Sequence, residues 1–132
     1  MIYCTAIDDA KVLAELYQEW VGHTPQFKGI QINSLWVAAR DGDKYVGAAQ
    51  LIIIDDPIWD RRWGLVENVY VAEAYRRRGI GKELMSTIES TAYGGFDCEF
   101  VKLTSASEKF MGHSLYRSMK YKEGLSFKRL LK

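Results

Sequence analysis

The residues best suited to chemistry form a basic turn that carries two glycines. It comprises residues 76–82, and it lies between a strand-like run that ends at Val71 and a helical pattern. Unpaired backbone N–H groups and the positive end of a helix favour a bound phosphate in such a place. The sequence therefore predicts an anion site made of Arg76, Arg77, Arg78, Gly79, Ile80, Gly81 and Lys82.

The glycines of this turn limit the kind of phosphate site. Gly79 and Gly81 lack Cβ atoms, so we expect their backbone to approach a ligand closely. A Walker loop would need glycine in place of Arg76 and a hydroxyl residue in place of Glu83. A dinucleotide fingerprint would need a third glycine in place of Leu84. Both motifs are excluded, and a basic turn with incidental glycines is the alternative to a phosphate cradle.

Glu67 is the candidate base of the strand-like run. Alternation predicts one face with Leu65, Glu67, Val69 and Val71, and an opposite face with Val66, Asn68 and Tyr70. A carboxylate on so apolar a face suggests a chemical purpose. The alternative is a surface glutamate paired with Arg61 or Arg62.

An acidic and aromatic segment precedes this run. Asp55, Asp56 and Asp60 stand close to Trp59 and Trp63 in what we expect to be a polar loop over residues 55–64. Carboxylates attract a cation and an indole face can stack on it, so the segment could line an amine-binding mouth. A solvated loop is the alternative, and without suitably spaced His or Cys ligands no metal site is expected.

Hydrophobic periodicity predicts the elements that position these residues. Strands are expected over residues 1–7, 35–40, 45–54, 65–71, 96–104 and 125–131. Helices are expected after Asp9, over an apolar stripe from Ile80 to Ile88, and around Leu115. Asp41 and Gly42 mark a hairpin, residues 23–31 are expected to be irregular, and Gly94 and Gly95 are expected to turn the chain. The order βαβββαβαβ predicts an α/β (α+β) fold with a mixed, mostly antiparallel central sheet and flanking helices.

Composition bounds the class of protein. The 132 residues, 48% hydrophobic and 27% charged, predict a single domain over 1–132. The chain shows neither a long apolar run nor a secretory leader, and its two cysteines are far apart, so we expect a cytoplasmic protein without membrane contact. Residues 1–60 hold nine acidic and four basic side chains, whereas residues 61–132 hold eight and fourteen. The net charge of +1 argues against nucleic-acid binding through the arginines.

Two separated motifs resemble the GNAT-type N-acetyltransferase superfamily over nearly the whole chain. Arg76, Gly79 and Gly81 match its acetyl-CoA pyrophosphate loop. Farther on, residues 102–105, the pair Leu115 and Tyr116, and an aromatic five residues later at Tyr121 match its second motif. Residues 66–71 and 116–121 also resemble the glucosamine-phosphate N-acetyltransferase branch.

The resemblance implies a GNAT-like fold and an enzyme that moves the acetyl group of acetyl-CoA directly to a primary amine. It places Tyr116 beside the CoA sulfur as the acid that protonates the thiolate, with a half-buried packing tyrosine as the alternative. Lys109 stands where many members have an asparagine that contacts pantetheine. The implied cofactor-binding residues are Val69, Tyr70, Val71, Arg76, Arg77, Arg78, Gly79, Ile80, Gly81, Lys82, Lys109 and Tyr116.

The acceptor is expected to be a small-molecule amine such as an amino sugar, an aminoglycoside, a polyamine or an amino acid, with a protein amine as a further option. A non-catalytic CoA-binding sensor or protein-interaction domain of the same fold is the alternative function. Exposed tryptophans or the edge of the last predicted strand could mediate a homodimer.

Overall fold

The fold is built on one five-stranded sheet. The computed structural model describes residues 1–24, 33–56, 58–104, 110–124 and 126–132. The strands are β1 (Ile2–Ile7), β2 (Ser34–Asp41), β3 (Lys44–Asp56), β4 (Arg61–Val71) and β5 (Val101–Leu103), and the helices are α1 (Ala10–Val21), α2 (Ile80–Ser90) and α3 (Phe110–Ser118). The strand order is β1-β2-β3-β4-β5. The first four strands pair antiparallel and β5 runs parallel to β4, so the sheet is mixed as predicted.

Local sequence explains the ends of α1 and the β2–β3 turn. The Asp9 carboxylate accepts hydrogen bonds from the backbone N–H groups of Lys11 and Val12 at 3.1 and 3.2 Å, which caps the helix start. Gly22 ends the helix in a left-handed conformation with φ 77°. Gly42, with φ 58°, makes the predicted hairpin turn. The irregular segment predicted over 23–31 lies mostly outside the described residues.

The prediction of a loop over residues 55–64 is wrong, because β3 and β4 both extend into this segment. β3 continues to Asp56 and β4 begins at Arg61, so the connection is short. Asp55 pairs with Arg62 and Asp56 with Arg61 across the hairpin. Opposite charges placed face to face on adjacent strands stabilise the pairing, which the polar composition of the segment concealed.

A β-bulge corrects the predicted faces of β4. Ala48 lies opposite Tyr70 but Gln50 lies opposite Glu67, so β4 carries one residue more than β3 here. Asn68 has a φ of 53°, in the left-handed region. The extra residue reverses the alternation, and Val66 therefore packs into the same cluster as Val69 and Val71, whereas Tyr70 packs into the cluster on the opposite face.

The C-terminal third departs most from the predicted elements. Instead of turning at Gly94 and Gly95, the chain extends α2 by a π-helical turn over Thr91–Gly95, and the strand predicted over 96–104 shortens to β5. The last predicted strand, 125–131, is wrong: residues 126–132 are all exposed and lie in neither a helix nor a strand. That segment has strand-like residue types but no partner strand in the described sheet.

Two buried clusters cover the two faces of the sheet. The larger one places α2 against one face, with Leu84, Met85 and Ile88 fully buried. The smaller one places α1 against the other face through Leu13 and Tyr17. Within the described residues, none of the helices combines the length and the apolar character that crossing a bilayer requires.

Candidate functional site

The sheet opens between β4 and β5. β5 pairs with β4 only from Gly64 to Val66, whereas β3 stays paired with β4 as far as Val71. The pairing with β5 thus ends at Val66, just before the bulge around Asn68. From residue 67 to residue 71, the β4 edge on the β5 side is not covered by a described strand, so its backbone polar groups can meet a ligand. Val69, Tyr70 and Val71, which the sequence analysis named, lie on this stretch.

The N-terminus of α2 follows closely after this edge. A single 3-10 turn, Glu73–Tyr75, and residues 76–79 connect the two. Gly79 occupies the N-cap with φ 79°, and among the described residues no side chain caps the helix. Arg77 is also left-handed, with φ 65°. The first N–H groups of α2 thus keep their capacity to bind an anion, and Arg77, Arg78 and Lys82 supply positive charge nearby.

Gly81 has a packing role that the sequence analysis did not foresee. A Cβ atom built there would lie 3.1 Å from Cδ2 of Leu115 in α3. The missing side chain therefore lets α3 approach the first turn of α2 closely. At Gly79, by contrast, a Cβ would meet nothing within 4 Å, and the glycine is needed there for its positive φ.

Two basic side chains of the turn, those of Arg76 and Arg78, lie against aromatic rings. Arg76 donates from Nε to the carbonyl of Val71 at 2.9 Å, and its guanidinium lies 5.7 Å from the ring centroid of Tyr70. Arg78 and Lys44 both approach the Tyr75 ring, at 5.0 and 5.4 Å. Arg76 thus ties the turn to the end of β4, while Lys44 brings an additional cation that sequence reasoning missed because it comes from the distant β2–β3 hairpin.

Tyr116 lies on the same side of the sheet as α2. It is half-buried against the larger cluster, and its ring meets that of Tyr121 edge-on with centroids 5.8 Å apart. Burial raises the pKa of the Tyr116 phenol above its ordinary value. The hydroxyl therefore stays protonated at physiological pH, the form that can donate a proton or a hydrogen bond.

Glu67 lies on the other face of the sheet. The pairing registers place Trp36, Gln50 and Glu67 side by side on β2, β3 and β4, and Trp36 belongs to the cluster beneath α1. Glu67 is half-buried. Its suggested partners are engaged elsewhere, because Arg61 pairs with Asp56 at 3.3 Å and Arg62 with Asp55 at 2.6 Å. Among the described residues, neither Arg61 nor Arg62 forms the ion pair with Glu67 that was considered as the alternative.

Those same ion pairs change the interpretation of the acidic segment. Two of its three carboxylates are neutralised across the hairpin. Trp63 stacks on Phe100 with centroids 5.6 Å apart, and Lys102 Nζ lies 4.8 Å from the Trp63 ring centroid. These contacts stabilise the hairpin, and they leave little free charge for binding an amine.

A polar network around the bulge was also missed. Tyr17 donates its hydroxyl hydrogen to the carbonyl of Asn68, and Asn68 Nδ2 donates to Gln50 Oε1 at 3.1 Å. Gln50 Nε2 then donates to Ser34 Oγ at 3.1 Å. The only sequence signal for this network is Gln50, a lone glutamine in the otherwise largely apolar run from Tyr45 to Ile54.

Most of the predicted cofactor residues lie in one stretch of chain, from the β4 edge at residues 69–71 to the uncapped first turn of α2. Next to this stretch, Leu115 of α3 approaches Gly81, and Tyr116 packs against the larger cluster on the α2 face. An extended thioester with a diphosphate suits these parts, because the edge offers peptide hydrogen bonds and the helix start offers an anion site. Lys109 lies outside the described residues.

Comparison with known families agrees with this geometry. A sequence model described as the acetyltransferase (GNAT) family matches residues 6–121. The chain belongs to the GNAT acetyltransferase family, which confirms the resemblance found in the sequence. It is an acetyl-CoA-dependent N-acetyltransferase, since the family's members use acetyl-CoA as the acetyl donor. A search of curated proteins finds no match.

Solved structures share the fold at low sequence identity. A protein from Agrobacterium tumefaciens, provisionally described as an acetyltransferase, is 24% identical with a TM-score of 0.82, over 98% of this chain and 99% of the other. The ribosomal-protein-alanine N-acetyltransferase from Brucella melitensis is 18% identical with a TM-score of 0.81, over 98% and 97%. AAC(6')-Iy, solved with a CoA-linked bisubstrate analogue, is 14% identical with a TM-score of 0.79, over 98% of each chain. These likenesses confirm the predicted fold class.

Proposed function

We propose that residues 1–132 form one catalytic domain that acetylates a primary amine of a small molecule by direct transfer. The observation that carries this proposal is the opening of β4 from β5 after Val66, next to the uncapped N-terminus of α2. A peptide edge and a helix start placed in succession suit a long cosubstrate with an anionic centre.

The cofactor residues act as two groups. Val69, Tyr70 and Val71 offer backbone hydrogen bonds to the pantetheine arm. The start of α2 holds the pyrophosphate through the N–H groups of Gly79, Ile80, Gly81 and Lys82, with charge from Arg77 and Arg78. Arg76 acts partly through the protein, since it fixes the turn to the Val71 carbonyl. We keep Lys109 in the proposed set on the family pattern alone.

The chain's own residues then supply proton transfer. Acetyl-CoA provides a thioester carbon that an uncharged amine can attack. Glu67 takes the proton from the bound ammonium, directly or through water, so that the nitrogen can form its bond to carbon. A backbone N–H of β4 stabilises the charge that develops on the carbonyl oxygen. Tyr116 gives a proton to the sulfur as the carbon–sulfur bond breaks, and the second proton, which the nitrogen loses as it becomes an amide, returns to the phenolate directly or through water.

A small-molecule acceptor is supported by what similar folds are named for. Aminoglycoside acetyltransferases from soil metagenomic samples share the fold, and one of them was solved with sisomicin. The Brucella neighbour is named for a ribosomal-protein alanine, so a protein amine is the competing acceptor. A hexosamine phosphate, as suggested by residues 66–71 and 116–121, stays a prediction.

The first test measures binding and turnover separately. Acetyl-CoA is titrated into the protein by calorimetry, and amines of four classes (aminoglycoside, hexosamine phosphate, polyamine and peptide N-terminus) are then screened by thiol release. We expect binding in the micromolar range and turnover with a small-molecule amine. Turnover with the peptide alone would move the acceptor to proteins, and acetyl-CoA binding without turnover of any small-molecule amine in the screen would contradict the proposed acceptor.

Glu67→Gln tests the proposed base. We expect kcat/KM below neutral pH to fall by about 100-fold, because general-base catalysis contributes roughly 10²–10⁴-fold. Acetyl-CoA affinity should be unchanged, because Glu67 lies on the α1 side of the sheet. Glu99→Gln, a change of the same kind at an exposed position, serves as the matched control. Equal pH profiles for Glu67→Gln and the control would remove Glu67 from the mechanism.

A further inference from the structure

The bulge in β4 is held in place from the α1 side of the sheet. Asn68 has a φ of 53°, a conformation that asparagine tolerates better than most residues but that still has to be stabilised. Its carbonyl, which the bulge removes from the regular ladder, accepts the hydroxyl hydrogen of Tyr17. Its side-chain amide donates to Gln50 Oε1 at 3.1 Å.

These two partners are fixed themselves. Tyr17 is 4% exposed and meets the ring of Trp36 edge-on, with centroids 5.6 Å apart. Gln50 is also 4% exposed, and its Nε2 donates to Ser34 Oγ at 3.1 Å. A buried amide must find hydrogen-bond partners, because leaving it unpaired costs about 1–3 kcal/mol. The hydrogen bond from Gln50 to Ser34 therefore fixes the Gln50 amide, and the fixed amide in turn fixes the orientation of the Asn68 side chain.

The position of the bulge coincides with the opening of the sheet. The last residue of β4 that pairs with β5 is Val66, and the bulge follows at Asn68. The strand bends at a bulge and its local twist increases. The backbone groups of Val69, Tyr70 and Val71, beyond the bend, are those that the proposed function assigns to the cosubstrate.

We propose that Tyr17 and Gln50 are positioning residues that fix the Asn68 bulge and thereby aim the β4 edge at the acetyl group. This inference rests on the proposed function, because it concerns the same β4 edge. Neither side chain touches the reacting atoms; both act through Asn68. A loosened bulge leaves the α2 anion site intact, so the acetyl end of the cosubstrate is affected and the phosphate end is not.

Two variants remove the two contacts with little change in volume. Tyr17→Phe deletes one hydroxyl and keeps the ring, and Gln50→Met replaces the amide by an apolar chain of similar length. Thr91→Val is the matched control, since Thr91 Oγ1 donates to the Thr87 carbonyl at 2.7 Å at the far end of α2. Thermal unfolding of all three proteins shows whether each is folded under the assay conditions.

Three readouts separate positioning from stability. Calorimetry gives the ratio of the CoA and acetyl-CoA dissociation constants, which isolates the contribution of the acetyl group. Amide exchange by NMR reports the order of residues 67–71 without ligand. Steady-state kinetics gives kcat and KM. We expect Tyr17→Phe and Gln50→Met to bind CoA like the wild type, to lose preference for acetyl-CoA, to exchange faster at residues 67–71, and to lose about 10- to 100-fold in kcat.

The contrary result is specific. If both variants are folded and keep the wild-type acetyl-CoA preference and kcat within twofold, as Thr91→Val should, the two residues serve stability alone and the inference is wrong. An equal loss of CoA and acetyl-CoA affinity would also overturn it. Failure of the proposed function is recognised separately, because the wild-type protein itself would then show no turnover.

Discussion

Tyr116→Phe is the sharpest probe of the proposed chemistry, because it removes one hydroxyl and leaves the ring. The ring contributes to packing through the larger buried cluster and through its edge-on contact with Tyr121 at 5.8 Å. Phenylalanine keeps that contact, so the free energy of unfolding should change by less than about 1 kcal/mol, the net value of a typical hydrogen bond.

Turnover should respond much more strongly. A general acid contributes roughly 10²–10⁴-fold to a rate, and the free energy equivalent of 100-fold is about 2.7 kcal/mol. Because burial raises the pKa of Tyr116, its proton is held more tightly than that of a free phenol. The gain from full proton transfer to a thiolate is thereby smaller, and we expect a loss in kcat near the lower limit, about 100-fold. Acetyl-CoA titrated by calorimetry should bind with its wild-type affinity.

Tyr121→Phe is the matched control, because it should show the opposite pattern. Its hydroxyl donates to Glu89 Oε2 at 2.5 Å, a hydrogen bond to a charged group that contributes about 1.5–3 kcal/mol. This variant should lose stability in urea and keep most of its kcat. Thiol release measured on both variants decides the matter: if Tyr116→Phe turns over as fast as the wild type, the acid role is refuted and Tyr116 is a packing residue.

Three further predictions concern the framework. Gly47→Ala should destabilise the protein by about 1–3 kcal/mol in urea, since its Cβ would lie 2.8 Å from the Tyr70 carbonyl oxygen, whereas Gly124→Ala, with nothing within 4 Å, should be neutral. Asp9→Ala should cost about 1 kcal/mol through loss of the α1 cap, and an unchanged urea midpoint would contradict this. Burial raises the pKa values of Tyr17 and Tyr70, so their stabilising effect is complete below pH ~10 and is lost above it, by about 1.4 kcal/mol per pH unit and tyrosine; unfolding curves that coincide from pH 9 to 11 would refute this.

Much of the fold could be predicted because local signals agreed with the final structure. Asp9 and Gly22 delimit α1, Asp41 and Gly42 mark the β2–β3 hairpin, and a high content of β-forming residues identifies β2 and β3. The same kind of evidence, strand-like residue types, led to the wrong prediction of a C-terminal strand. Strand-like residue types over 125–131 indicate only a capacity to pair, and pairing needs a neighbouring edge that local sequence does not report.

The candidate site likewise combines features that a contiguous sequence pattern predicts with contacts that only the fold creates. The turn at the start of α2 was predictable, because a glycine-bearing turn before a helix is a contiguous pattern, and Gly79 has the positive φ that the pattern requires. The contacts of Lys44 with Tyr75 and of Tyr17 with Asn68 were not predictable, because they join elements that are distant in the sequence. Gly81 was predicted only as part of the anion turn. The structure gives it a second role, because its missing side chain lets α3 approach α2.

The bulge at Asn68 shows where the alternation that singled out Glu67 breaks down. Period-two alternation placed Glu67 on the same face as Val69 and Val71, and its charge there looked anomalous. The extra residue in β4 instead places Glu67 beside Gln50 on the α1 face, and brings Val66, Val69 and Val71 together on the α2 face. A bulge is a defect in alternation, so a periodicity argument fails where β4 departs from regular geometry to open the sheet. The bulge lies beside the strand edge that is proposed to bind acetyl-CoA. In the proposed mechanism, the hydrogen bonds of Tyr17 and Gln50 to Asn68 therefore matter as much as the carboxylate of Glu67.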